Sequence, residues 1–314
     1  CEMTKRTVKI GSRDSALAMW QTKHVISELE KVTSEYTFEI VPLKTKGDKI
    51  LDVSLAKVGD KGLFTKELEA AMLDKTTDLA VHSMKDVPTN LVDGLIIGSI
   101  LKREDPRDVL ISPKGYTFQT LPEGAKVGTS SLRRKAQLQN LRPDLKICDV
   151  RGNLNTRMRK MHEENFDALI LAAAGVIRMG WSDEISEYLP MDISLAAVSQ
   201  GAIGIECRED DAEIMALIAK INDEETATCV CAERALLRAL EGGCQIPIAA
   251  HAVIKNDTLK LNGLVASLDG KRVIKETLSG NKDNAEEIGL ELAKKLTALG
   301  ADEILAEIRQ ELTI

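Results

Sequence analysis

Along the first two-thirds of the chain, short apolar runs end in small polar residues and give way to helical periodicity, an alternation that leaves few folds open. Val8 to Ile10 runs into Gly11-Ser12-Arg13-Asp14-Ser15 and then an apolar stripe through Leu17, Val25 and Leu29. Tyr36 to Leu43 alternates as a strand, Gly62 to Leu73 reads as a helix, and Leu79 to His82 and Leu95 to Leu101 read as further strands. A charged, proline-containing bridge, Lys102-Arg103-Glu104-Asp105-Pro106-Arg107-Asp108, interrupts the pattern. Beyond it the alternation restarts, with strands near 108–112, 126–129, 145–150 and 168–173 and helices near 131–141, 153–162 and 174–181. Ser199 to Glu206 reads as a strand returning to the first set. Two α/β domains are therefore expected, 5–101 with 200–221 and 105–196, with a cleft between them.

The last third changes rhythm. Strands near 248–254, 258–267 and 272–279 are joined by turns containing Asn256-Asp257 and Asp269-Gly270, which signal antiparallel hairpins. A helix with Ile288, Leu292, Leu296 and Leu299 on one face stops at Gly300. Residues 222–314 are expected to form an α+β domain with a three-stranded antiparallel sheet.

Charge narrows the choice of partner. The net charge of −7 hides a basic island: Lys126 to Lys160 holds ten Lys and Arg against Asp144 and Asp149, so the rest of the chain carries −15. Such an island attracts a polyanion, although a solvated helix face gives the same count. The island has no aromatic residue, and aromatics are 3% of the chain, which argues against a base-stacking nucleic-acid platform. No run of about 18 apolar residues exists to span a membrane. Six scattered cysteines suggest reduced thiols in a cytoplasmic setting rather than a disulfide framework. None is placed for a metal site.

Five segments can carry chemistry. Gly128-Thr129-Ser130-Ser131-Leu132-Arg133-Arg134 places hydroxyls at a strand-to-helix turn, as a simple N-cap or as an anion seat. Arg151-Gly152-Asn153-Leu154-Asn155-Thr156-Arg157 and Gly11 to Ser15 repeat that logic at the carboxyl ends of strands, where open α/β sheets bind ligands. In His82-Ser83-Met84-Lys85-Asp86-Val87-Pro88, Asp86 is either a turn-capping residue or a carboxylate available to stabilise positive charge. In Gly242-Gly243-Cys244, the thiol is either inert core or a group close to a ligand.

In order along the chain, residues 11–18, 62–68, 81–88, 128–134, 151–157, 200–206 and Glu241-Gly242-Gly243-Cys244-Gln245-Ile246-Pro247 resemble the motifs of porphobilinogen deaminases. The resemblance runs from about residue 7 to 267 and weakens in the final helices; Ser199 departs mildly from the usual small residue before Gln-Gly. It implies two periplasmic-binding-protein-like α/β domains with a cleft between them, plus a C-terminal α+β domain. It implies an enzyme that joins four porphobilinogen molecules stepwise, with loss of ammonia, and releases linear hydroxymethylbilane by hydrolysis.

The resemblance also assigns residues. Cys244 matches the thioether attachment point of a dipyrromethane cofactor, and Asp86 matches the catalytic aspartate that hydrogen-bonds pyrrole N–H groups and stabilises the cation left when ammonia departs. Arg13, Ser15, Lys57, Lys61, Ser83, Lys85, Thr129, Ser131, Arg133, Arg134, Arg151, Arg157, Arg178 and Gln200 match positions that bind the acetate and propionate groups of cofactor and substrate. The expected partner is porphobilinogen, with no nucleic acid, membrane or metal. A cytoplasmic monomer is expected, and a processed plastid form fits equally. A solute-binding receptor and a nucleic-acid binder are the competing readings.

Overall fold

A computed structural model describes residues 5–49, 62–240 and 246–312. The described residues divide into two compact units, one built from those within 1–51, 60–103 and 202–227 and the other from those within 104–201 and 228–314.

The first unit is a five-stranded sheet with helices. Strand β1 (Arg6–Arg13) leads into helix α1 (Ala16–Val32), then β2 (Tyr36–Leu43) and the short α2 (Lys46–Lys49). Helix α3 (Lys66–Leu73), β3 (Leu79–Ser83) and β4 (Leu95–Ile100) follow. The chain returns much later with β10 (Ile203–Arg208) and α7 (Ala212–Ala219). The order is β2-β1-β3-β10-β4, with β1 parallel to β2 and β3, and β10 antiparallel to both its neighbours. Val8, Ile10, Val25, Leu29, Leu79 and Ile205 form part of a fully buried core. The helix expected from Gly62 begins four residues later, because Gly62 takes a positive φ of 75° and residues 62–65 form turns.

In the second unit, β5 (Asp108–Ile111), β6 (Lys126–Gly128), α4 (Leu132–Leu141) and β7 (Lys146–Cys148) are followed by α5 (Leu154–Glu163) and β8 (Ala168–Ala172). Helix α6 (Ala173–Arg178) and the two-residue β9 (Glu187–Tyr188) complete this part. The order β7-β6-β8-β5-β9 repeats the logic of the first sheet: the first strand of a parallel set lies between its second and third, and an antiparallel strand from the crossover comes next. The two α/β sheets thus share one strand order.

The same unit contains an antiparallel sheet of β11 (Ile248–Lys255), β12 (Thr258–Ala266) and β13 (Val273–Asn281). Asn256 and Asp257 both have positive φ, 49° and 64°, the geometry that a two-residue hairpin needs. Helices α8 (Glu224–Ala239), α9 (Ala285–Ala298) and α10 (Ala301–Leu312) supply the other half of the core, with Leu236, Leu292, Leu296 and Ile304 packed on Leu259 and Leu261. A second apolar cluster joins Ala136 of α4 and Leu195 to Ala249, Leu264 and Ala266 of this sheet.

Helices α8 and α9 touch backbone to backbone at Gly289. A Cβ there would lie 2.5 Å from the Ala232 carbonyl oxygen and 2.7 Å from the Ala235 Cβ. Gly289→Val is expected to destabilise the protein by about 1–3 kcal/mol through overpacking, read as a lowered melting temperature in thermal denaturation.

Candidate functional site

In the first unit, the candidate residues gather at the carboxyl ends of β1 and β3. Arg13 is the last residue of β1, and its guanidinium lies 4.3 Å over the Phe64 ring. Its Nε donates to both Asp48 carboxylate oxygens at 3.2 Å. Asp48 is itself fixed by the Thr45 hydroxyl at 2.7 Å and backbone N–H at 3.1 Å. Burial raises the Asp48 carboxyl, but Arg13 and Thr45 outweigh it and hold it below the usual aspartate range. Burial likewise works against Arg13, and it is more than offset by the Asp48 hydrogen bond and the charges of Asp86, Asp48 and Asp14. Arg13 and Asp86 thus act on each other electrostatically.

Asp86 ends the 3-10 turn Met84–Asp86, which follows β3 directly. Two contacts fix that turn. The Met84 N–H donates to the Ala202 carbonyl at 2.9 Å, and the Met84 thioether fills the space beside Gly204, where a Cβ would lie 2.1 Å from the sulfur. Asp86 and Lys85 remain half-buried. Ser83 donates to Gln21 Oε1 at 3.1 Å, and Ser15 is the N-cap of α1, accepting from the Ala18 N–H at 3.3 Å.

In the second unit, the turns after β6 and β7 are zipped together. Ser130 donates to the Val150 carbonyl at 2.8 Å and accepts from the Val150 N–H at 2.9 Å, while the Thr129 N–H reaches the Cys148 carbonyl at 2.9 Å. The Thr129 hydroxyl accepts from the Ser131 N–H at 3.2 Å, and Ser131 caps α4 by accepting from the Arg134 N–H at 3.2 Å.

Arg133 and Arg134, expected from the sequence to hold ligand carboxylates, are each only 5% exposed and bind the chain's own Asp108, which is 0% exposed. Arg133 Nη1 donates to Asp108 Oδ2 at 2.8 Å and to the Leu195 carbonyl at 2.7 Å; Arg134 Nε donates to Oδ1 at 3.1 Å. Ser194 adds a bond to Oδ2 at 2.6 Å, and Gln200 Nε2 reaches Oδ1 at 2.9 Å and the Pro106 carbonyl at 2.8 Å. The physical reason is desolvation: guanidiniums taken out of water need an anion built into the fold. Burial raises the Asp108 carboxyl, but the two arginines overwhelm it and hold it far below the usual range. Two cations share one anion, so the cluster keeps one positive charge in excess.

Arg151 differs from these. Its side chain is largely buried, with Nη2 3.6 Å from an Asp149 oxygen, and its Nη1 is buried with no hydrogen-bond partner. Gly152 turns the chain beside it with φ of 107°, and Asn153 caps α5. Arg157 lies half-buried on that helix. Arg178 donates to the Gly201 carbonyl at 2.9 Å, and burial, opposed by Glu104, pulls it down to about 10, still protonated at neutral pH. An orphaned, buried guanidinium N–H fits an anionic, carboxylate-bearing group. Lys57, Lys61 and Cys244 lie outside the described residues.

Residues 8–216 match the family described as "Porphobilinogen deaminase, dipyromethane cofactor binding domain", and residues 227–298 match "Porphobilinogen deaminase, C-terminal domain". The chain belongs to the porphobilinogen deaminase family. Porphobilinogen deaminase of Desulforamulus reducens is 56% identical over 97% of this chain and 99% of its own length. That of Carboxydothermus hydrogenoformans is 56% identical over 98% and 99%, and that of Geobacter metallireducens 55% over 98% and 96%. Among solved structures, the extracellular-binding protein ytmK of a probable amino-acid ABC transporter from Bacillus subtilis aligns at 12% identity over 69% of this chain and 90% of that one, with a TM-score of 0.41. Among the described residues, no helix is long and apolar enough to cross a membrane.

Asp108 and Asp48 were not singled out from the sequence, although a lone Asp heading the apolar strand Val109-Leu110-Ile111 is a usable signal of a buried ion. Removing one partner of such a cluster strands the others, so Asp108→Asn is expected to cost about 3–5 kcal/mol at neutral pH. The depressed carboxyl contributes stability that is complete above the ordinary aspartate range and is lost as pH falls through its folded value. Denaturant titrations across acidic pH are expected to show a shallower acid loss in Asp108→Asn than in the parent protein.

Proposed function

We infer that this chain joins four porphobilinogen molecules stepwise, with loss of ammonia from each, and releases linear hydroxymethylbilane by hydrolysis, as an enzyme of tetrapyrrole and haem biosynthesis. Membership of the porphobilinogen deaminase family across nearly the whole chain carries this reading. It is supported by the half-buried Asp86 on a rigidly held turn within the electrostatic reach of Arg13.

The dipyrromethane group, which we place on Cys244 through a thioether, supplies a tethered pyrrole whose free α-carbon is the nucleophile. Asp86 accepts hydrogen bonds from the pyrrole N–H of the substrate and stabilises the positive charge that develops as ammonia leaves. Met84, packed against Gly204, keeps that carboxylate from drifting away from the reacting atoms. Arg13, Ser15, Lys57, Lys61, Ser83 and Lys85 take acetate and propionate groups. Arg151, Arg157 and Arg178 take carboxylates as well, because a fork of N–H donors matches a planar carboxylate. Thr129, Ser131, Arg133, Arg134 and Gln200 take further acetate and propionate groups; Arg133, Arg134 and Gln200 are oriented for this by Asp108, whose two arginines leave one positive charge in excess, and Thr129 and Ser131 shape the turn that presents it.

Residues 105–196 and 222–314 act as separate domains on this reading, which their separate sheets support. The protein works as a monomer without nucleic acid, in the cytoplasm or in a plastid after processing. Size-exclusion chromatography with light scattering checks the monomer.

The mass of the denatured protein is expected to exceed the sequence mass by two linked pyrrole units, with the excess mapping to Cys244 and absent from Cys244→Ser; an unmodified yet fully active protein would sink the reading. Asp86→Asn is expected to keep fold and adduct while lowering kcat by about 10²–10³, measured as hydroxymethylbilane released per enzyme.

A further inference from the structure

The core of the first unit holds three titratable side chains that this function leaves without a task. Glu69 on α3, His82 on β3 and Glu206 on β10 are 4%, 5% and 0% exposed. His82 pairs in register with Gly204, and Glu206 lies two residues further along β10, so both side chains stand on one face of the sheet. They meet there, with His82 Nε2 2.8 Å from Glu206 Oε1. Helix α3 packs on the sheet through Leu68 and Met72 against Ala80, and Glu69 is buried on that same helix.

The oxygens left over are informative. Glu206 Oε2 and Glu69 Oε2 are both buried without a hydrogen-bond partner. Carboxylates supply only acceptors, a bare buried acceptor is costly, and Glu206 lies close enough to Glu69 to act directly on its carboxyl. One proton held between them turns both orphans into a hydrogen bond and removes a second negative charge from the core. The surroundings favour its residence on Glu69: burial first, then the Glu206 charge, raise that carboxyl above the usual glutamate range, while Thr65 and His82 pull the other way.

We propose that Glu69 and Glu206 share a single proton and, with His82, form a buried strap that ties α3 and β10 to β3 just ahead of the Asp86 turn. Its members are positioning residues. They touch no substrate, and they act by fixing the strand from which Asp86 projects. The role in turnover rests on the function proposed for Asp86, whereas the shared proton does not.

Infrared spectroscopy of the holoenzyme at neutral pH, with carbon-labelled glutamate, is expected to show the C=O stretch of a protonated carboxylic acid that disappears in Glu69→Gln. No acid band in the parent protein, or one unchanged in Glu69→Gln, overturns the shared proton. Glu69→Gln keeps an N–H donor for Glu206 and is expected to hold kcat within about twofold, whereas Glu69→Leu, similar in size but without a donor, lowers kcat about tenfold with KM little changed. A kcat for Glu69→Leu equal to that of the parent overturns the positioning role. Should Glu69→Leu fail to fold, His82→Asn is read in the same way, with the same loss expected and an unchanged kcat counting against the strap. A parent protein that consumes no porphobilinogen would refute the function while leaving the infrared result to decide the proton by itself.

Discussion

Asp108 is the single group around which the second unit is organised. It sits at the head of β5, fully buried, and collects donors from Arg133 and Arg134 on α4, from Ser194, and from Gln200. Three of these four are held in turn by a carbonyl: Leu195 for Arg133, Ile170 for Arg134, Pro106 for Gln200. A buried carboxylate of this kind is a demanding element, because any missing donor leaves an ion stranded in apolar surroundings. The gain is specificity, since helix α4, strand β5 and the segment 194–200 have one mutual arrangement that satisfies the cluster.

The same economy appears in the first unit. Arg13 is set by Asp48 and Phe64, and Asp48 by Thr45. Charged side chains that a sequence reader assigns to ligands are first partners of one another. What remains after internal pairing is the excess positive charge of the Asp108 cluster, the orphaned N–H of Arg151, and the half-buried carboxylate of Asp86.

Much of the architecture was legible because it is locally encoded. Apart from the two-residue β9, the strands of both α/β sheets follow from short apolar or alternating runs, and the β11–β12 hairpin follows from Asn256-Asp257, whose side chains tolerate positive φ. Helix α8 was not, because its buried face is made of Cys229, Ala232 and Ala235 along with Leu236, and small side chains give little contrast with a polar face. Asp86 stood out through its motif. The pairing of Arg133 and Arg134 with Asp108 was hidden by distance, since their counter-ion lies 25 and 26 residues back in the chain, and Ser194 and Gln200 join it from 86 and 92 residues ahead. Charge counting finds cations, but only the fold names their anions. The pairing of His82 with Glu206, 124 residues apart, was hidden for the same reason.

The placement of β10 has a consequence for how the chain is made. It is inserted between β3 and β4, not added at an edge, yet about a hundred residues of sequence separate it from them. During synthesis the first unit therefore waits, its sheet split down the middle, until the whole α/β part of the second has been produced. Ala202, Gly204 and Glu206 arrive together with that strand, and they are the residues that receive Met84 and His82. The turn bearing Asp86 is translated early and fastened late.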